Sequence, residues 1–342
     1  MYNIIITQEH RKGDKNLKEI IINKNEAEQR LDRFLKKYFS KAPQSFIYKM
    51  LRKKNIKLNG KKANPDTIIV EGDAIQLYLA DETIDKFVAK EEIIKSPLIP
   101  KIIYEDENII LINKPVGILS HSAKGDYGNN IVDSMIHYLH IKGEYNPRIE
   151  KTFTPAICNR LDRNTSGIII GAKNYEALRM INQGIKNDQI HRYYKAIVKG
   201  IVDKEIVLEG YLVKDEELNK VQISKEPMGD SKKTITRIMP IANSKGYSLL
   251  EIQLITGRTH QIRAHLASIG HPIIGDIKYG HRKTNEFFRQ IYGLESQFLH
   301  SYKLVFHGLD EPLDYLNNRQ FIGKADKRFD KIEKELFQRK QE

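Results

Sequence analysis

Asn159-Arg160-Leu161-Asp162-Arg163-Asn164-Thr165-Ser166-Gly167, followed at once by Ile168-Ile169-Ile170, is the stretch from which the rest of the chain can be read. A polar nonapeptide that runs straight into β-branched residues reads as a loop anchored on a strand. Inside the loop one carboxylate sits between two arginines. Opposite charge close to a carboxylate favours its ionised form, and that form can act as nucleophile or charge stabiliser. The plainer reading of Asp162 is a turn residue or a structural ion pair, so the decision rests on the remainder of the chain.

With 342 residues and 40% hydrophobic content the chain can build one large domain with an appendage, or two domains. It has no apolar run of about 18 residues, and its N-terminus lacks the pattern of a signal peptide, so neither a membrane span nor secretion is expected. The single cysteine, Cys158, excludes an internal disulfide and a multi-cysteine zinc site, and it fits a reducing cytoplasm. The chain is expected to be a monomer.

The formal charge is +13, a surplus that suits a phosphate-rich partner. From Arg30 to Lys62 there are twelve Lys or Arg and one acid, Asp32, so 33 residues carry +11. A basic binding module in front of a nearly neutral body is the natural reading. Two β-prone stretches, Ile4–Thr7 and Glu19–Asn23, precede it. A helix is expected from Glu26 to Phe39, with Leu31, Phe34, Leu35 and Tyr38 on one arc and Arg33 and Lys37 opposite. A second, from Gln44 to Lys53, turns Phe46, Ile47, Met50 and Leu51 inward and Lys49, Arg52 and Lys53 outward. Asn59-Gly60 then predicts a tight turn decorated by Lys61 and Lys62, and Thr67–Val70 with Ala74–Leu79 a further strand pair. A charge run is usually a solvated face, but such faces mix signs and this one does not.

The mixed-charge segment 81–100, ending Ser96-Pro97-Leu98-Ile99-Pro100, reads as a linker. The body opens with a hairpin, Ile102–Tyr104 and Ile109–Ile112 about an acidic turn, that exits through Asn113-Lys114-Pro115-Val116-Gly117. Helical spacing follows at Ile131–His140 and at Asn174–Lys186, and a strand at His191–Gly200. Leu250, Ile252 and Leu254 alternate with polar residues. Thr256-Gly257-Arg258-Thr259 turns that strand into a helix over His260–Gly270, and a Gly-containing turn at a helix N-terminus is a ready anion site. His260 and His265 lie about 140° apart around that helix, which excludes them as a zinc pair. The charged tail, 311–342, is expected to end in a helix from about Asp330 to Gln341.

Four blocks of this sequence, in order, resemble the RluA-type pseudouridine synthases. They are the Asn-Lys-Pro-x-Gly exit, the Arg-Leu-Asp-x-x-Thr-Ser-Gly loop, the strand ending Ala196-Ile197-Val198-Lys199-Gly200, and Thr256-Gly257-Arg258-Thr259-His260-Gln261-Ile262-Arg263. The family usually shows histidine where Asn159 stands. The basic module is similar to a small RNA-binding domain of a ribosomal small-subunit protein that is appended to many RNA-modifying enzymes. The resemblance implies conversion of uridine to pseudouridine in RNA, large-subunit ribosomal RNA ahead of transfer RNA, with no cofactor and no metal. It places catalysis on Asp162, Tyr194 and Arg263, with Arg263 pairing to Asp162. It suggests that Arg160 holds the position vacated by a flipped uridine and that Ile262 packs beside the base. It also puts an RNA-contacting loop within Lys124–Pro147.

The expected fold class is α+β: a predominantly antiparallel mixed sheet with a central cleft at 101–310, behind a small αα-β-hairpin RNA-binding domain at 1–80. RNA contacts are expected from Arg33, Lys37, Lys49, Arg52, Lys53, Lys61 and Lys62. Two other readings stay open. One is a non-catalytic RNA-binding protein that keeps this fold, and the other an RNA methyltransferase, although no Gly-x-Gly-x-x-Gly loop follows a strand.

Overall fold

The computed structural model describes residues 17–88, 95–123, 127–146, 153–215 and 220–337. The strand expected at Ile4–Thr7 and part of Lys124–Pro147 lie outside them. The described residues form two compact units, one drawn from residues up to Ile94 with 136–155 and 174–176, the other from the remainder.

In order along the N-terminal segment come the strands Leu17–Ile21 (β1) and Gln29–Arg30 (β2), the helices Leu31–Tyr38 (α1) and Gln44–Arg52 (α2), the strands Ile56–Leu58 (β3), Ile68–Ile69 (β4) and Ala74–Tyr78 (β5), and the helix Asp81–Phe87 (α3). Helix α1 buries Leu31, Phe34, Leu35 and Tyr38, and α2 buries Ile47, Met50 and Leu51. These are the apolar arcs visible in the sequence, and they close one core with Ile56, Ile75 and Leu77. Asn59 and Gly60 take positive φ (48° and 75°) as the tight turn requires. Only the Leu58–Lys61 bridge closes that turn, because β3 pairs with β5.

Two expectations for this region are corrected. The stretches 67–70 and 74–79 do not pair with each other: β4 pairs with β2, and β5 lies between β1 and β3. Ile22 takes up the hairpin's backbone groups, donating to Asp73 O at 2.8 Å and accepting from Gly72 N at 2.9 Å. The linker expected from residue 81 begins instead as helix α3, with Ile84 buried and Phe87 packed 4.4 Å, centroid to centroid, from Phe46. An apolar pair spaced i, i+3 inside a charged segment is too short a signal for a helix to be read from periodicity.

The remaining elements are the strands Ile102–Glu105 (β6) and Ile109–Lys114 (β7), the helix Ile131–Ile141 (α4), the strands Ala156–Ile157 (β8) and Ser166–Ala172 (β9), the helix Tyr175–Lys186 (α5), and the strands Ile190–Lys199 (β10), Ile206–Asp215 (β11), Lys220–Ser224 (β12), Lys232–Ser244 (β13) and Tyr247–Leu254 (β14). After them come the helices Gln261–Ser268 (α6) and Arg282–Tyr292 (α7), the strands Leu299–Phe306 (β15) and Gln320–Ile322 (β16), and the helix Lys327–Phe337 (α8). One sheet runs β12-β11-β13-β14-β10-β15-β9-β7-β6, with β16 on β15 and β8 on β9. Among the described residues its pairings are antiparallel except one, β9 with β15, which is parallel over Ser166 and Gly167.

That single parallel contact brings the mouth of β9, and so the loop before it, next to β15 and the central strand β10. Only glycine permits it. Gly167 has φ 115°, and a Cβ there would lie 2.1 Å from the carbonyl oxygen of Ser301. In the segment expected as a charged tail, β16 extends the sheet, and the helix expected from about Asp330 overlaps α8, which begins at Lys327 and buries Phe329, Ile332 and Leu336. Phe329 stacks on Phe298 at 4.1 Å. No helix among the described residues is long and apolar enough to cross a membrane.

Candidate active site

The loop that carries Asp162 is gripped through its backbone by the residues after β7. Ser120 Oγ donates to Leu161 O (2.7 Å) and accepts from Leu161 N (3.0 Å), while Gly117 N donates to Arg163 O at 2.9 Å. Lys114 is fully buried, and its ammonium donates to Pro115 O, Ile118 O and Arg163 O at 3.0, 2.6 and 2.8 Å. Burial pushes the Lys114 ammonium down to about 7, against the pull of the Asp162 carboxylate. Both residues flanking Asp162 are thereby fixed through their backbones, leaving its side chain to face the cleft.

Asn159, the departure from the family pattern, completes the strand on the other side. Its Oδ1 accepts from Ile170 N (2.8 Å) and its Nδ2 donates to Ile168 O (3.2 Å), so a side-chain amide continues the ladder that β8 begins on β9. The amide serves the backbone of β9, and Asp162 makes no hydrogen bond to it.

Arg263 reaches Asp162 from α6, with Nη1 2.9 Å from Oδ2. The same guanidinium grips a second acid that sequence reasoning missed. Nε and Nη2 donate to the two oxygens of Asp276 at 2.7 and 2.9 Å. Asp276 is fully buried, and its Oδ1 also accepts from Lys278 N and Tyr279 N. Burial opposes the charge of Asp276, but the Arg263 guanidinium and these two amides outweigh it and hold its carboxyl below the usual range. Burial likewise opposes the charge of Arg263, and the two carboxylates hold its pKa well above the ordinary value. Arg263 is therefore a fixed cation oriented from behind by Asp276 and turned towards Asp162 in front.

His260 stands in the left-handed conformation (φ 55°) at the start of α6, with Nε2 3.9 Å from Asp162 Oδ2 and Nδ1 3.0 Å from the Tyr279 hydroxyl. Burial lowers its pKa although Asp162 pulls the other way. The Tyr279 hydroxyl accepts from Val221 N (2.9 Å), which links this network to β12. Neither His260 nor Tyr279 was singled out for this role in the sequence, because each becomes meaningful only beside Asp162.

Tyr194 comes from β10 at the point where its register with β15 shifts, between Tyr193 and Tyr194. Its neighbour Tyr193 faces the other way, under the ammonium of Lys303 at 4.1 Å. Burial pushes the Tyr194 phenol above its ordinary value, so it is the neutral phenol that faces the site. Arg160, Asp162, Tyr194, Ile262 and Arg263 all line one recess, and a cleft of about 760 Å³ shares Arg160, Asp162 and Tyr194 with it. A cleft of that volume lies within the range of small-ligand sites. All five residues expected at the site thus converge there.

The anchor of α6 is read most clearly at His265. It is fully buried, with Nδ1 2.8 Å from Thr236 Oγ1 and Nε2 3.2 Å from Thr234 Oγ1 on β13, and burial pushes it down to about 4. An unfolded histidine titrates near 6.5, so the unfolded state alone takes up this proton as pH falls between the two values. The neutral ring's contribution is complete above about pH 6.5 and is lost progressively towards pH 4. Urea unfolding at these two pH values will show a loss to which His265 contributes roughly 3 kcal/mol, read as the weaker pH dependence of His265→Gln. His260 and His265 occupy different surroundings, the one beside Asp162 and Tyr279 and the other between Thr234 and Thr236.

In the N-terminal segment Arg33, Lys37, Lys49, Arg52, Lys53, Lys61 and Lys62 are all exposed. Asp32, the one acid of that basic stretch, is neutralised by Arg30 at 2.8 Å and accepts from the Tyr48 hydroxyl at 3.0 Å. The helix faces that carry these lysines and arginines therefore present positive charge with little internal compensation.

A sheet crossed by a cleft, with one acid held by an arginine and faced by a tyrosine, is the arrangement against which known proteins can be compared. Residues 108–268 match the family described as RNA pseudouridylate synthase. An uncharacterized RNA pseudouridine synthase of Mycoplasma capricolum subsp. capricolum is 32% identical over 314 residues, covering 90% of this chain and 98% of that protein. Ribosomal large subunit pseudouridine synthase D of Borreliella burgdorferi is 32% identical over 312 residues, covering 88% and 87%. The solved structure of human RNA Pseudouridylate Synthase Domain Containing 4 shares the fold, with a TM-score of 0.52 at 22% identity over 67% of this chain and 89% of that one. The chain belongs to the RNA pseudouridine synthases, within the RluA-type family.

Proposed function

We propose that the protein isomerises uridine to pseudouridine in structured RNA, with large-subunit ribosomal RNA as its substrate, acting as a monomer in the cytoplasm. The observation that carries this reading is the meeting of Asp162, Tyr194 and Arg263, from three separate segments of one chain, in a cleft ringed by further arginines. The relative from Borreliella burgdorferi, named for the large ribosomal subunit, supports the choice of RNA. The lone cysteine suits the cytoplasm.

In the reaction the bond from ribose C1′ to N1 breaks, C1′ joins C5 of the same base, the C5 proton leaves to solvent and N1 takes one up. A stacked uridine cannot present these atoms to a side chain, so the nucleotide is flipped out at a cost of a few kcal/mol. Arg160 occupies the vacated position, and Ile262 and Tyr194 pack against the extruded ring. Asp162 acts as nucleophile or as base, with its charge oriented by Arg263. Tyr194, as a neutral phenol, takes part in removing the C5 proton as a hydrogen-bonding partner and not as a free phenolate.

The test is release of tritium to water from RNA labelled at uracil C5, without any methyl donor. Release supports the synthase, and its absence would leave the non-catalytic RNA-binding reading in its place. Asn159 does not favour that alternative, since its amide serves the strand and leaves the chemistry to Asp162. The basic helices are tested separately. Replacing Lys49, Arg52 and Lys53 together by Gln will weaken RNA binding and make the slope of log affinity against log salt shallower by roughly 2, about 0.7 per phosphate contact on a single strand. An unchanged slope in filter binding would mean that α2 does not touch the RNA.

A further inference from the structure

The cleft holds a buried cation that the mechanism above does not use. Arg192 lies two residues before Tyr194 on β10 and is only 5% exposed. Its Nη2 donates to Leu254 O (3.1 Å) and Ile255 O (3.2 Å), both neutral acceptors at the end of β14, while its Nε has no partner among the described residues. Among the described residues no carboxylate lies within ion-pairing distance of it. A buried guanidinium without a close counter-ion is costly, and burial lowers the pKa of this one although Tyr194 and the more distant Asp188 pull the other way. By contrast Arg263, in the same site, has two carboxylates.

The surroundings point to the partner that is missing. Arg192 lines the cleft of about 760 Å³ together with Arg160, Arg163, Lys186 and Arg258, and among the described residues the one acid on that lining is Asp162, already paired with Arg263. The turn beside it is shaped around the guanidinium, since a Cβ on Gly257 would lie 2.9 Å from Arg192 Nη1. Uracil and ribose are neutral, so the anion that a flipped uridine brings with it is a phosphodiester. We propose that Arg192 is a phosphate-binding residue of the cleft, seating the phosphodiester that adjoins the flipped uridine. This assignment rests on the synthase reading and deepens it: the base and ribose are then located from one end by the Asp162 recess and from the other by a buried positive charge.

The experiment measures kcat/KM for tritium release from a large-subunit ribosomal RNA transcript labelled at uracil C5, over about 50 to 200 mM salt. Arg192→Gln is expected to lower kcat/KM roughly 10- to 100-fold, chiefly through KM. It is also expected to make the log-log salt slope shallower by about 0.7, the share of one phosphate, whereas Arg192→Lys keeps the slope. A purely structural arginine would lower the rate and leave the slope alone, and a wild-type slope in Arg192→Gln overturns the proposal.

Because a buried substitution can fail to fold, the wild-type enzyme supplies a second measurement. Uridine 3′,5′-bisphosphate should inhibit tritium release at a concentration at least about tenfold lower than uridine, and equal inhibition by the two overturns the proposal as well. Should the wild type release no tritium at all, the synthase reading fails and takes this one with it. Release without the phosphate effects sinks this one alone.

Discussion

Asp162→Asn will abolish tritium release, by at least about 10⁴-fold, while leaving RNA affinity within a few fold. General acid–base and nucleophilic groups contribute at this scale when they act as a unit with their neighbours. The substitution keeps the shape of the side chain and removes its charge. The fold tolerates it because the loop is held through the backbone of Leu161 and Arg163, by Ser120, Gly117 and Lys114, and not through the carboxylate. The Arg263 guanidinium can still donate to the amide oxygen. Tritium release and filter binding on the same preparation separate chemistry from affinity, and turnover surviving in this variant would refute the assignment of Asp162.

Asp276→Ala has the largest expected effect on stability. It leaves Arg263 buried with one partly exposed acid in place of two, and removing one member of a buried ion pair costs about 3–5 kcal/mol. For a body of this size that corresponds to a fall in Tm of roughly 6–20 °C, measurable by thermal unfolding. Activity will fall too, since Asp276 sets the plane of the guanidinium that meets Asp162. The double variant Arg263→Met, Asp276→Leu separates the two effects. Apolar replacement of a whole buried pair is often close to neutral, so most of the stability will return while tritium release does not. If the double variant is as unstable as Asp276→Ala, the pair is holding the fold by something other than its own charge balance.

Much of this site could be read in the sequence because its parts are local. A polar loop running into isoleucines, an alternating strand ending in a turn, and a helix start carrying two arginines are short-range patterns, and the family resemblance fixed their order. The apolar arcs of α1 and α2 were equally plain, being spaced along single helices. Asp276 was not visible, because an acid thirteen residues after Arg263 becomes its partner only when the chain folds back. Lys114 read as part of a turn, since nothing local shows that three carbonyls, one of them from Arg163, converge on its ammonium. Arg192 read as one basic residue among many until burial separated it from the exposed ones.

The misreadings share the same cause. Residues 67–79 looked like a hairpin because turn chemistry is local, yet Ile22 claims the turn's backbone groups from another segment. The charged segment 81–87 looked like a linker, and the packing of the helix at 327–337 went unread, because two or three apolar residues say little until a core exists to receive them.

By itself the sequence showed most of the elements, the positive charge of the N-terminal helices and the acid proposed to react, all of which depend on neighbours within a few residues. The tertiary structure alone decided which cations meet which anions. One parallel contact at Gly167 brings β9 to β15, Arg263 is shared between Asp162 and Asp276, and Arg192 is left without an ion-pair partner among the described residues. Pairing across a hundred residues is set by sheet order and by the expense of burying charge, and neither is written in any single stretch of the chain.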